Sequence, residues 1–139
     1  MTDATGTSAA PLAARHVLTI LAVRDLERSV AFYRAAFGWS AEVEVPVYVQ
    51  FCLPGGGQLG VYQREGFANN TGLPASMPPA GHSTATELYF HCDDIEAASA
   101  RLLKAGARCL APLQRKPWGD DAIYFADPDE NVLVLACTP

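Results

Sequence analysis

The sequence repeats itself, and this internal duplication limits the possible folds more than any other feature. Asp25 opens one stretch of apolar residues at helical spacing, and Asp94 opens a second such stretch in the other half of the chain. The same Phe-x-x-Pro motif follows both stretches, beginning at Phe51 and at Phe125. Two copies of one structural unit are therefore expected, each with its own helix and strands.

Each copy has the pattern of one strand, one helix and then further strands. The helices are predicted from their aspartate caps to the glycines that end them, Gly38 and Gly106. Alternating or continuous apolar runs predict strands over His16–Val23, Tyr48–Leu53, Gln58–Gln63, Glu87–Cys92, Ala122–Ala126 and Val132–Cys137. The chain is thus interpreted as a duplicated β-α-β-β-β unit of the α+β class.

Composition sets the boundaries of these units. Residues 1–14 are rich in Ala, Thr, Ser, Gly and Pro, which predicts a flexible tail. Residues 64–84 contain glycines, prolines and an Asn-Asn pair that break any regular pattern, which predicts a linker. One module is therefore expected over 15–63 and the other over 85–139.

Charge and hydropathy exclude several partners. Ten Lys and Arg against fifteen Asp and Glu give a net charge of −5, without the cation cluster that nucleic acid binding requires. No apolar run approaches the ~20 residues that span a bilayer, and Met1–Ala14 lacks a secretory pattern, so we expect a cytoplasmic protein. The four cysteines are isolated in sequence and are interpreted as buried, small apolar residues, with a disulfide left open.

Two motifs carry a resemblance to a known family. The first is Val-Arg-Asp-Leu-Glu-Arg-Ser-Val-Ala-Phe-Tyr over 23–33, followed by Phe37-Gly38-Trp39; the second is Asp-Pro-Asp-Glu-Asn over 127–131. Both resemble motifs of the vicinal oxygen chelate superfamily, which includes glyoxalases, bleomycin-resistance proteins, fosfomycin-modifying enzymes and extradiol dioxygenases. The resemblance implies tandem β-α-β-β-β modules that form a curved, cup-shaped mixed sheet.

The resemblance also implies four positions for a divalent metal. Carried over residue by residue, these positions are Leu18, Gly60, Glu87 and Val134, and only Glu87 has a side chain that binds metals. No metal or other cofactor is therefore expected. Glu130 stands where the family's turn has glycine, and Asn131 is expected to take over the positive φ of that turn.

Strand alternation places Glu87, Tyr89 and His91 on one face, directed into the cup where relatives bind ligands. Trp118 is expected at the rim, where its ring could stack on a planar ligand. The remaining candidate ligand-binding residues are Tyr62, Tyr48 and Gln50. Opposite the polar face of the Glu87 strand, an apolar wall is expected, made of Leu18, Ile20, Gly60, Val132 and Val134.

The favoured function is binding of a small aromatic or amphipathic molecule without a metal, similar to the bleomycin-resistance branch. The alternative is a metal-dependent lyase, transferase or dioxygenase with displaced ligands at His16, Glu87 and His91. A metal-independent isomerase or epimerase and a structural role stay open, so no catalytic residue is assigned. A homodimer is expected, because a curved half-cup cannot close alone.

Overall fold

The computed structural model describes residues 9–139 of the chain. Its elements in chain order are β1 (Thr19–Val23), α1 (Leu26–Phe37), β2 (Ser40–Val45), β3 (Tyr48–Cys52), β4 (Gln58–Gln63), α2 (Arg64–Thr71), β5 (Glu87–His91), α3 (Ile95–Ala105), β6 (Arg108–Arg115), β7 (Asp121–Ala126) and β8 (Val132–Cys137). The predicted fold class is confirmed: the protein is α+β, with two four-stranded mixed sheets.

The two sheets have the same topology. Sheet 1 has the strand order β1-β4-β3-β2 and sheet 2 the order β5-β8-β7-β6. In each sheet the first strand of the module runs parallel to the last, and the other pairs are antiparallel. The parallel pairing requires a crossover connection, which the module's helix provides.

Both long helices begin and end where the sequence predicts. The carboxylates of Asp25 and Asp94 accept hydrogen bonds from the backbone N–H of Arg28 at 3.1 Å and of Ala97 at 3.0 Å. These bonds satisfy donors that have no partner within the helix. Gly38 and Gly106 then adopt φ values of 69° and 111°, which end the helices in the left-handed conformation.

The modules share one hydrophobic core between the inner faces of the sheets and the helices. Phe90 of β5 lies 4.8 Å from the ring centroid of Phe37 and 5.8 Å from that of Trp39, so module 2 packs directly on module 1. The Arg101 side chain of α3 also donates to the Ala35 carbonyl of α1 at 2.9 Å. The opposite, outer faces of both sheets point away from this core.

The β7–β8 turn joins module 2 to the start of α1. Asp129 is buried and accepts hydrogen bonds from the Arg24 backbone N–H at 2.9 Å and the Ser29 hydroxyl at 2.7 Å. Buried Asp127 accepts from the Tyr33 hydroxyl at 2.5 Å. We call these contacts the intermodule clasp; they connect residues that are far apart in sequence.

The prediction that Asn131 adopts the positive φ of this turn is wrong. Glu130 itself has φ 69°, and it is the only residue other than glycine with a positive φ among residues 9–139. Its carboxylate accepts from Arg108 at 2.6 Å, which holds the strained residue in place. Asn131 instead donates its side-chain amide to Asp127 at 2.9 Å, a bond that fixes the turn from within.

Three further expectations differ from the structure. The first eight residues of the expected linker form α2, because Gln63 accepts a hydrogen bond from the Gly66 N–H and Gly72 ends the helix at φ 77°. Cys52 and Cys109 are exposed and Cys92 and Cys137 half-buried, all as free thiols, so the expectation of buried cysteines is wrong. The first strand begins at residue 19 instead of 16.

The expected tail lies partly outside the described residues, and its described part, 9–14, contains no helix or strand. Within residues 9–139, no helix has the length and apolar character needed to cross a membrane.

Candidate functional site

The outer face of sheet 2 carries three of the predicted ligand-binding residues in one line. Leu88 and Phe90 pack against the core, so Glu87, Tyr89 and His91 point to the opposite side, as strand alternation predicts. The neighbouring strand β8 places Val132, Val134 and Ala136 beside them. These residues give the face an apolar floor with polar groups along one edge.

Asp120 connects the polar groups of this face. Its Oδ2 atom accepts from the Tyr89 hydroxyl at 2.6 Å and contacts His91 Nε2 at 3.0 Å. The Trp118 indole N–H donates in turn to the Tyr89 hydroxyl at 2.9 Å. Trp118, Tyr89, Asp120 and His91 therefore form one hydrogen-bonded set, called the Asp120 network below.

The network shifts the pKa of Asp120 and of Tyr89. The hydrogen bond from Tyr89 lowers the pKa of Asp120; partial burial opposes this shift, and the contact with His91 adds to it. The same bond raises the pKa of Tyr89, since the hydroxyl proton is held by a carboxylate. An ionised Asp120 only accepts hydrogen bonds, so His91 carries a proton on Nε2 and, in its neutral form, leaves a lone pair on Nδ1.

Tyr48, Gln50 and Tyr62 lie on the outer face of the other sheet. The Tyr48 hydroxyl donates to Gln50 at 2.6 Å, and the Gln50 amide donates to Gln58 at 2.5 Å. The rings of Tyr48 and Tyr62 meet edge to face, with centroids 5.3 Å apart. Burial raises the pKa of Tyr48, and the neighbouring Tyr62 adds to the shift. The predicted site residues thus fall into two clusters, one on each sheet.

A groove of about 530 Å³ lies where the two modules meet. Glu87 and Tyr89 line it from module 2, and Thr19 and Gln58 line it from module 1. Arg15 and His16 also line this groove. Its volume lies within the usual range of small-molecule sites, which is roughly 300–1,000 Å³.

The residues at the family's metal positions do not fit a metal. Leu18 has no ligating atom, and Val134 is fully buried among Ala122 and Ala136. At Gly60 the space for a side chain is already filled: a Cβ atom built there would lie 2.6 Å from Cε1 of Tyr48. Glu87 therefore stands alone as a ligating side chain at these positions.

The displaced ligand set is not assembled either. Within residues 9–139, no three His, Cys, Asp or Glu side chains form a group that could hold a metal ion. His16 Nε2 lies 3.1 Å from the Thr19 hydroxyl, and His91 pairs with Asp120. The alternative set of His16, Glu87 and His91 thus has no support from the geometry.

The fold and the comparison with family models decide the family. The model of the Glyoxalase/Bleomycin resistance protein/Dioxygenase superfamily matches residues 14–135. The chain belongs to this superfamily. The resemblance predicted from the two sequence motifs is thereby confirmed, and it covers both modules.

Several relatives of this glyoxalase superfamily are similar over most of their length. YraH, an uncharacterized protein of Bacillus subtilis (strain 168), is 26% identical over 121 residues, which are 83% of this chain and 91% of YraH. A glyoxalase-related enzyme from Fulvimarina pelagi has a TM-score of 0.79 at 23% identity, covering 90% of this chain and 88% of its own. A glyoxalase/bleomycin resistance protein/dioxygenase from Nocardioides has a TM-score of 0.75 at 24% identity, covering 96% and 87%. At these identities, the structural similarity shows the fold alone.

Sequence analysis of this superfamily member missed Asp120. The residue precedes β7 in the loop after Trp118. The sequence of this loop has the pattern of a turn, and a turn pattern does not indicate a residue of a ligand site. Strand alternation contained a signal, because Ala122 and Tyr124 occupy the outer face and the same period places residue 120 on it.

Proposed function

We propose that the protein binds a small aromatic or amphipathic molecule on the outer face of sheet 2 and in the adjoining groove, without the metal of its superfamily. The observation that carries this proposal is the exposed Trp118, 58% accessible, which the Asp120 network holds next to an apolar floor that Glu87 also borders. A tryptophan normally buries its large ring, so an exposed ring in a fixed orientation favours stacking on a planar ligand. The network holds that ring before any ligand arrives, which reduces the entropy cost of binding.

Glu87 supplies the polar contact of this proposed site. It lines the groove together with Tyr89, and its carboxylate lies near enough to Tyr124 to raise the pKa of that phenol, after the larger effect of burial. A ligand hydroxyl or cation beside Glu87 would form a charge-assisted hydrogen bond. Such a bond contributes about 1.5–3 kcal/mol in a partly dry site.

The proposal is tested with 2-naphthol, a planar probe with one hydroxyl donor, by isothermal titration calorimetry. Glu87→Gln keeps the shape of the side chain and removes its charge, so binding should weaken roughly tenfold to a hundredfold while the melting temperature stays unchanged. Glu96→Gln, in the first turn of α3, is the matched control and should bind like the wild type. If Glu87→Gln binds 2-naphthol equally well but has a much lower melting temperature, Glu87 is a structural residue and the site lies elsewhere.

We also propose that a second copy of the chain is the protein partner. Large apolar side chains remain exposed at one edge strand of each sheet. They include Val45 at the end of β2, Val47 in the turn that follows it, and Leu110 and Leu113 on β6. A homodimer would cover part of this apolar surface. Light scattering at micromolar concentration should give twice the chain mass of 14.8 kDa, and a monomer mass would refute the dimer.

A further inference from the structure

The Asp120 network determines which hydrogen-bonding groups the proposed site offers to a ligand, because the donors of Trp118, Tyr89 and His91 bond within the network. The single N–H of Trp118 is donated to Tyr89, and the single O–H of Tyr89 is donated to Asp120. The Nε2 proton of His91 is directed to the same carboxylate oxygen. The network and its neighbour on β5 therefore present acceptors to a ligand: the Glu87 carboxylate, the second oxygen of Asp120 and the Nδ1 lone pair of neutral His91.

A similar chain of hydrogen bonds crosses the outer face of sheet 1. There the hydrogen bonds run from Tyr48 to Gln50, from Gln50 to Gln58, and from Gln58 to the Glu42 carboxylate at 3.1 Å. The chain of donors again ends on a carboxylate. Both outer faces therefore combine aromatic rings with a terminal negative charge.

The chain itself places an ammonium group on this face. The Lys116 Nζ atom lies 4.9 Å from the centroid of the Tyr124 ring, and Tyr124 pairs with Val134 on the floor of the outer face. Attraction between an ammonium and an aromatic ring contributes about 0.5–1 kcal/mol at exposed sites and more in drier ones. Lys116 thus shows that the face accommodates a cation over an aromatic ring.

We propose that Asp120 is a specificity-determining residue and that the ligand class is an aromatic molecule bearing an ammonium group. The ring stacks on Trp118, and the ammonium donates to an acceptor of the Asp120 network, whose own donors are engaged. Arg15 lines the adjoining groove and Lys116 the face, so each contributes a positive charge that the acceptors must outweigh. This inference rests on the proposed binding of an aromatic molecule.

The experiment compares two probes of the same ring system, 1-naphthylmethylamine and 1-naphthylacetate, by isothermal titration calorimetry. The wild type should bind the amine at least about tenfold more tightly than the carboxylate. Asp120→Asn replaces an acceptor by an amide that can donate, so this preference should fall severalfold or reverse. Asp121→Asn changes the net charge equally at a neighbouring carboxylate that pairs with Arg115 at 2.6 Å, and it should keep the preference.

Lys116→Met provides a second test that leaves the network intact. Removing the Lys116 ammonium should raise the affinity for the amine severalfold and lower the affinity for the carboxylate. If Asp120→Asn does not fold, this result tests the proposed ligand class in its place. Equal binding of the two probes by the wild type, or an unchanged preference in Asp120→Asn, overturns the inference. If 2-naphthol binds but the amine is not preferred, the ligand class is wrong while the proposed function stands; if no probe binds, the proposed function has failed first.

Discussion

At the scale of single residues, Tyr33 links the stability of the protein to pH. Its ring is fully buried in the core, and its hydroxyl donates to Asp127. Burial, followed by the negative charge of Asp127, raises the pKa of Tyr33 well above its ordinary value of 10.0. Burial also raises the pKa of Asp127, although the hydrogen bonds from Tyr33 and Asn131 oppose this.

The raised pKa of Tyr33 predicts a loss of stability in alkali. The folded state holds the phenol proton more tightly than the unfolded chain, so this stabilisation is complete below the unfolded pKa and decreases as pH rises above about 10. Tyr33→Phe should be less stable at neutral pH by about 1–3 kcal/mol, since it removes a buried hydrogen bond. Its free energy of unfolding should nevertheless depend less on pH in alkali.

Urea denaturation between about pH 8 and pH 11 measures both effects. Tyr48→Phe is the control, because Tyr48 is less buried and its pKa is raised without a buried carboxylate partner. It should flatten the pH dependence less than Tyr33→Phe does. Parallel pH profiles for the wild type and Tyr33→Phe would show that another group causes the alkaline transition.

Single residues were also where sequence reasoning was least complete. The alternation of β5 correctly placed Glu87, Tyr89 and His91 on one face, because a strand has a strict period of two. It could not show that Asp120 joins two of them, since that contact spans 29 residues and depends on how the β6–β7 loop folds back. The conformation of Glu130 was missed because the hydrogen bond that the Arg108 guanidinium donates to the Glu130 carboxylate, which supports this conformation, is also nonlocal.

At the scale of elements, local signals were sufficient wherever an element had clear ends. Both long helices have an aspartate cap and a terminal glycine, and β4 and β8 match their predicted bounds residue for residue. The helix α2 was missed because it contains two asparagines and no buried side chain, so it lacks an apolar stripe. Tertiary contact compensates in part: the Phe67 ring of α2 packs edge to face against Tyr62 of β4.

Strand β6 was not located for a related reason. Pro112 interrupts its sequence pattern, and the pairing with β7 shifts register between residues 109 and 111 and again between 111 and 114. Proline and bulges occur in edge strands because one side of such a strand needs no ladder hydrogen bonds. The neighbouring strand β7 decides the position of β6, and that information is nonlocal.

At the scale of the whole molecule, the two modules have the same topology but are joined asymmetrically. The β7–β8 turn of module 2 contributes Asp127 and Asp129 to the intermodule clasp on α1. The corresponding β3–β4 turn of module 1 contains Gly55, Gly56 and Gly57, which have no side chains for such contacts. Most polar contacts between the modules therefore come from one turn, with the Arg101–Ala35 hydrogen bond between the helices beside them. Phe37, Trp39 and Phe90 supply the apolar contacts.

This asymmetry predicts that Asp129 stabilises the whole fold. Asp129→Ala leaves the Arg24 backbone N–H and the Ser29 hydroxyl without their acceptor, and each unsatisfied buried donor costs about 1–3 kcal/mol. We expect a loss of about 2–4 kcal/mol, with a single unfolding transition because the shared apolar core remains intact.

Asp94→Ala is the matched control, since it also removes one carboxylate and one backbone hydrogen bond, but at a helix cap within module 2. It should cost about 1 kcal/mol, the usual contribution of an N-cap. Urea titrations followed by circular dichroism and by tryptophan fluorescence report both the free energy and the number of transitions. If Asp129→Ala costs no more than Asp94→Ala, the clasp adds nothing beyond local turn structure, and the apolar core alone holds the modules together.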